Sequence, residues 1–215
     1  MSNEKSIARD TWSALCQQLG NCRTCHQETP ALVDEKAFPL FGRFEGGASP
    51  LLFIAEAPNR DDTYDTVKGY LTIDYQTDPS GKFFHELFTK ELGRPIEEAQ
   101  LTNAALCLPA PQHGKYPLSA KQRKHCAPHI KQQILTLNPK VVVTLGAVAL
   151  ASVNLLETHR QRSIGEAVAK PVEWFGRYLF PLYHTGLLAR NGPSGRKEAQ
   201  QRQDWQTLRS FLGTL

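Results

Sequence analysis

Short unbroken apolar runs alternate along this chain with longer stretches of helical period. Leu51, Leu52, Phe53, Ile54 and Ala55 are apolar without interruption, the pattern of a strand buried on both faces. Mainly apolar segments at 101–106, 141–145 and 178–183, the first carrying Thr102 and Asn103 and the second Thr144, predict three further strands. Between the runs the spacing changes. Phe84, Leu87, Phe88 and Leu92 fall on one side of a helix over about 81–92, with Ser80 as its cap. A second helix covers about 119–137, capped by Ser119 and ended ahead of Asn138-Pro139. Gly146 opens a third, and 197–212 forms the last. Upstream, Ala8, Trp12, Leu15 and Leu19 mark a helix over 5–19. Strands alternating with helices at these lengths predict an α/β fold, a three-layer α/β/α sandwich with a central, mainly parallel four-stranded sheet. Residues 27–50 and 59–79 carry no period and read as loops, the second as a functional one.

At 215 residues and 40% hydrophobic content, the chain suits a single domain over 1–215, its N-terminal helix and cysteine segment occupying about 1–30. The longest apolar run, 141–156, is broken by Thr144, Gly146, Ser152 and Asn154, so no membrane span is expected. Glu4 and Asp10 stand where a secretory leader would be apolar, and the expected location is cytoplasmic. The net charge of +4 is a mild basic excess, compatible with a polyanionic partner.

In a parallel sheet, chemistry gathers beyond the carboxyl ends of the strands. Glu56-Ala57-Pro58-Asn59, Thr102-Asn103, Gly146 and His184 all stand at or just past those ends. Four strands thus deliver a mostly polar set to one rim.

Five cysteines complete the inventory of unusual chemistry. Cys22 and Cys25 form C-x-x-C, and Cys107 and Cys126 lie far downstream. In a reducing compartment such a set means metal or catalysis rather than disulfides. The run Cys22-Arg23-Thr24-Cys25-His26 also fits c-type haem attachment, but the only methionine is Met1 and no export signal accompanies it. Zinc held by Cys22, Cys25, Cys126 and either His125 or His129 is one reading. A [4Fe–4S] cluster on Cys22, Cys25, Cys107 and Cys126 is the second, and plain buried cysteines the third. Cys16 falls on the apolar side of the first helix and reads as a small core residue.

Several blocks, taken in order, resemble the uracil-DNA glycosylase superfamily, most of all its family 4, whose members carry iron–sulfur clusters. Ala55-Glu56-Ala57-Pro58-Asn59 resembles the first motif, Ser80-Gly81 the helix opening, and Thr102-Asn103 through Cys107-Leu108-Pro109 the next block. Cys126, then Pro139-Lys140-Val141 and Leu145-Gly146-Ala147, follow in register, and Tyr183-His184-Thr185 stands where the family writes His-Pro. The resemblance covers the chain from about Cys22 to the last helix. It implies a DNA-repair hydrolase of base excision that removes uracil, with other deaminated bases as alternative substrates, from DNA after base flipping, acting as a monomer. It also implies that Cys22, Cys25, Cys107 and Cys126 ligate a [4Fe–4S] cluster, which resolves the choice of metal against zinc.

By the same resemblance Glu56, Asn103 and His184 are catalytic. Asn103 pairs with the uracil edge, His184 donates to O2, and Glu56 places water or supports the cationic sugar. Ala57, Pro58, Asn59 and an aromatic, Tyr75 or Phe83, line the base pocket. Ser80, Gly81, Leu188 and Arg190 meet the DNA, with Arg196, Lys197, Lys115 and Lys121 as further basic contacts. Some residues depart from the pattern: Ala55 and Asn59 replace glycines, Thr185 replaces proline, and Ala57 stands where family 1 carries aspartate. No Lys/Arg-rich insertion follows Glu56, so covalent capture of uracil is not expected. The rival readings are a catalytically weak, metal-stapled nucleic-acid-binding relative and a zinc-stabilised domain without glycosylase activity.

Overall fold

A computed structural model describes residues 14, 15, 17–19, 22–25, 50–57, 78–107, 118–159 and 163–215. Its strands are β1 (Leu51–Ala55), β2 (Leu101–Asn103), β3 (Val141–Leu145), β4 (Val172–Trp174) and β5 (Arg177–Leu182). They form one sheet in the order β2-β1-β3-β5-β4, parallel throughout except for β4 against β5. The helices are α1 (Pro79–Glu86), running on into a π-helical turn Leu87–Glu91, α2 (Ala120–Leu137), α3 (Ala147–Val153), α4 (Ile164–Ala167), α5 (Leu187–Asn191) and α6 (Glu198–Leu212).

The pleat divides the apolar runs between two cores. Leu52, Ile54, Val142 and Leu179 face one layer, where they meet Leu15, Leu19, Ile130, Ile134 and Leu150. Their neighbours Leu51, Phe53, Val141, Val143 and Phe180 face the other, against Phe84, Phe88, Trp205 and Leu208. Phe53 stacks on Trp205 with ring centroids 5.4 Å apart and meets Phe84 edge-on at 5.3 Å. Burial on both faces explains why these strands show no polar alternation.

The sheet has five strands where four were expected. β4 is three residues long and carries Glu173 in its middle, too little for a hydrophobic pattern to reveal. Its turn uses Phe175 at φ 51 and Gly176 at φ 67, a conformation that a bulky aromatic does not advertise. Glu157 holds that turn: its carboxylate accepts from Phe175 N at 2.9 Å and its carbonyl from Trp174 Nε1 at 2.7 Å.

Two boundaries also differ. β2 ends at Asn103 instead of 106 because Ala104 N and Ala105 N donate to consecutive carbonyls, Ala55 O and Glu56 O, which breaks the alternation of a strand. The cap of α1 is Asp78, not Ser80, with Pro79 as the first helical residue. Ser119 does cap α2, in a reciprocal box with Gln122. Among the described residues, no helix is long and apolar enough to cross a membrane.

Candidate functional site

Register places the expected rim residues in one row. Asn103 lies level with Ala55, Thr144 with Ile54, and Leu145 with Leu182, so Asn103, Ala55, Leu145 and Leu182 end four adjacent strands together. Glu56, Gly146 and His184 follow directly. Gly146 N donates to Leu182 O at 2.7 Å, binding the ends of β3 and β5. A Cβ on Gly146 would stand 3.3 Å from His184 Cβ, and its φ of 94 disfavours any side chain, so glycine lets the histidine loop close on the sheet.

Asn103 is 2% exposed, and its Oδ1 is buried with no hydrogen-bond partner among the described residues. A buried carboxamide oxygen without a donor costs free energy, on the order of 1–3 kcal/mol, unless a ligand supplies the missing proton. Thr102, one residue earlier, is instead satisfied within the fold, donating to Gln133 Oε1 at 2.8 Å. The polar pair therefore splits into a structural member and an unsatisfied one.

His184 is fixed in tautomer. The backbone N–H of Gly186 donates to Nδ1 at 2.9 Å, so a neutral ring carries its proton on Nε2. Burial depresses the pKa below the usual histidine range, and the Asp78 carboxylate pulls partly the other way. The ring is thus a neutral donor at neutral pH. A Cβ on Gly186 would lie 2.9 Å from Nδ1 and 3.4 Å from Ser80 Oγ, which brings the start of α1 against the histidine. Glu56 is half-buried, and desolvation raises its pKa while Arg123 of α2 offsets part of the rise.

Other expected site residues fall differently. Phe83 is 3% exposed and packed in the α1–α6 core, with Arg190 over one side of its ring at 4.5 Å and Arg202 at 5.4 Å. It is a core ring, not a platform open to a base. Arg190 is buried too: it donates to Glu198 Oε1 at 2.6 Å and to Pro79 O at 3.4 Å. Its guanidinium ties α5 to α1 and α6 and is not presented to solvent. Arg196 is likewise paired, donating through Nη2 to Asp204 Oδ1 at 2.7 Å. Leu188, by contrast, is 87% exposed on α5. Ser80 and Gly81 open α1, and their N–H groups donate to the Asp78 carboxylate at 2.9 and 3.0 Å. Ala57 is half-buried against the core. Pro58, Asn59, Tyr75, Cys16 and Lys115 lie outside the described residues.

The sequence reading missed Asp78, Arg123 and the Gly186 N–H. Asp78 was legible, since Asp-Pro-Ser-Gly is a helix start. The other two act across tertiary contacts and leave no local signal.

A separate hollow gathers the cysteines. Cys22, Cys25, Cys107 and Cys126, with Leu106, His125 and His129, line one small hollow. All four are free thiols, three of them buried. Burial and the neighbouring sulfurs push the Cys107 pKa far up; Cys126 is pushed up to about 11 by burial, against a lowering hydrogen bond from the Leu106 backbone. Cys107 and Cys126, buried beside other sulfurs, resist becoming thiolates unless a cation compensates them. Among the described residues, no three His, Cys, Asp or Glu side chains form a ready single-ion site. A lone zinc ion draws its ligands into one tight tetrahedron, whereas an iron–sulfur cubane holds its thiolates apart across its own bulk. Four sulfurs gathered around one hollow, with His125 and His129 beside them, fit the cubane.

A family model described as the uracil DNA glycosylase superfamily matches residues 41–209. The chain is similar to a type-4 uracil-DNA glycosylase of Saccharolobus solfataricus, with 24% identity over 147 residues, covering 66% of this chain and 63% of that protein. It is also similar to a type-4 uracil-DNA glycosylase of Thermotoga maritima, with 28% identity over 113 residues, covering 52% of this chain and 55% of that one. The matches therefore span less than two thirds of either relative. The family match takes in every strand that builds the polar rim, and on it this chain belongs to the uracil DNA glycosylase superfamily.

Proposed function

We propose that this chain, working as one domain over 1–215, hydrolyses the N-glycosidic bond of uracil in DNA after the base has flipped out of the stack. The observation that carries the reading is the pair at the sheet edge: a buried Asn103 carboxamide with an unmatched oxygen, and a neutral His184 held as an Nε2–H donor. Type-4 uracil-DNA glycosylases among the relatives supply the reaction class.

Asn103 Oδ1 accepts from uracil N3–H and Nδ2 donates to O4. Cytosine offers the reverse pattern at that edge and would leave the amide mismatched in a buried site. As the C1′–N1 bond breaks, negative charge spreads onto N1 and O2, and His184 Nε2–H stabilises O2. A neutral donor suits this task, because it stabilises the anion without transferring its proton. Water adds to C1′, and its proton passes to Glu56, whose raised pKa makes it a better acceptor than an exposed carboxylate.

Leu188 fills the gap left by the flipped base, and Ser80 Oγ contacts the backbone beside it. Arg190 serves by seating α5, so that Leu188 points outward. Pro58, Asn59 and Tyr75 complete the base pocket beside Ala57. Cys22, Cys25, Cys107 and Cys126 hold a [4Fe–4S] cluster. When bound, it ties the N-terminal segment to the end of β2 and to α2. The protein acts as a cytoplasmic monomer in DNA repair, where a reducing environment keeps the thiolates available.

The test is a uracil-containing single-stranded oligonucleotide, incubated with iron-loaded protein and then treated with alkali. Strand scission at uracil is the expected result; intact strand with loaded protein rejects the activity. Ala57, which lacks the carboxylate of family 1, favours one rival, a metal-stapled binder of weak activity. Retention of the oligonucleotide without scission would establish that rival.

A further inference from the structure

The cysteine hollow contains two imidazoles that the cluster does not need as ligands. Both come from α2: His125 immediately precedes Cys126, and His129 lies one turn beyond His125. His125 Nδ1 stands 3.7 Å from Cys25 Sγ, within hydrogen-bond reach of a sulfur. Cys22 Sγ has Thr24 Oγ1 at 3.5 Å, and Cys126 receives a backbone hydrogen bond from Leu106. Each of these three sulfurs therefore has a polar neighbour, and the one facing Cys25 comes from a segment 100 residues away.

A thiolate ligand has no proton to give, so once Cys25 binds iron any hydrogen bond with His125 must run from the ring to the sulfur. We propose that His125 is a tuning residue of the cluster: its Nδ1–H donates to the Cys25 thiolate, weakens that iron–sulfur bond and makes the cluster easier to reduce. This rests on the iron–sulfur reading above. Donors to the sulfurs are among the levers that set such potentials, and partners outside the ligand set orient the ligands themselves. Leucine at 125 removes the donor, and asparagine keeps an N–H near the Nδ1 position.

The experiment compares anaerobically loaded wild type, His125→Leu and His125→Asn. In resonance Raman spectra, His125→Leu should raise an iron–thiolate stretching frequency, and its reduction potential should become more negative, while His125→Asn stays near wild type on both. A His125→Leu protein with a full complement of iron and sulfide but wild-type stretches and potential overturns the proposal. Nitrogen NMR of loaded wild type reads the ring directly, with the His125 signal identified by its loss in His125→Asn. Protonated Nδ1 is expected; a bare Nδ1 overturns the proposal even if His125→Leu does not load. Failure of wild type to assemble any iron–sulfur cluster is a different outcome, which rejects the cluster itself.

Discussion

At the scale of single residues, the site works through two unequal electrostatic adjustments. His184 is kept neutral by burial, so its folded-state pKa lies below its unfolded value near 6.5. The unfolded chain then takes the proton first as pH falls, and stability declines below about pH 6.5 until the folded-state pKa is reached. Replacing His184 with Asn should flatten that acid loss in melting temperature measured against pH, while lowering the rate of uracil release by roughly 10²–10³-fold. Glu56 is adjusted in the opposite direction. Burial raises its pKa and Arg123 restrains the rise, so Arg123→Gln should move the acidic limb of the pH–rate profile to higher pH. A limb that moves down or stays still would separate Arg123 from Glu56.

Secondary-structure elements turn these residues into a site by their ends. α1 starts where it does because Asp78 caps it and Pro79 fits its first turn. Asp78→Ala should cost about 1 kcal/mol in denaturant unfolding through the lost cap. It should also lower the His184 pKa further, since the carboxylate no longer favours the charged ring; histidine NMR titration would show the shift. α5 is only five residues long, yet the buried Arg190 pins it to Pro79 and Glu198. That anchoring explains how a short helix can hold Leu188 out in solvent. α2 spans both centres, with Arg123 acting on Glu56 and Cys126 lining the hollow one turn later.

For the whole molecule, the two centres differ in what holds them. The polar rim is supported by the sheet and by two apolar cores. The cysteine hollow joins the N-terminal segment, the end of β2 and α2, and its buried thiols gain nothing from one another. Chelation of iron, or Cys126→Ser, should therefore abolish the visible charge-transfer band and lower the melting temperature while leaving a folded sheet by circular dichroism. Full unfolding on metal loss would show that the cores depend on the cluster; an unchanged melting temperature would show that it staples nothing.

Much was legible in the amino-acid order alone. The four mainly apolar runs predicted buried parallel strands, because a strand covered on both faces has no polar side to alternate. Switch points between run and period then placed Glu56, Asn103, Gly146 and His184 at strand ends. Local pattern could not reveal β4, whose three residues bury one tryptophan and turn on a left-handed Phe175. Nor could it tell that Phe83 and Arg190, expected at the base and the DNA, spend their surfaces on each other. Those outcomes depend on which neighbour fills a space or satisfies a charge, and neighbours distant in sequence meet only when the chain packs. The sequence by itself determined which chemical groups stand at the ends of the strands. Only the tertiary structure decided which of them remain unsatisfied and therefore available to a ligand.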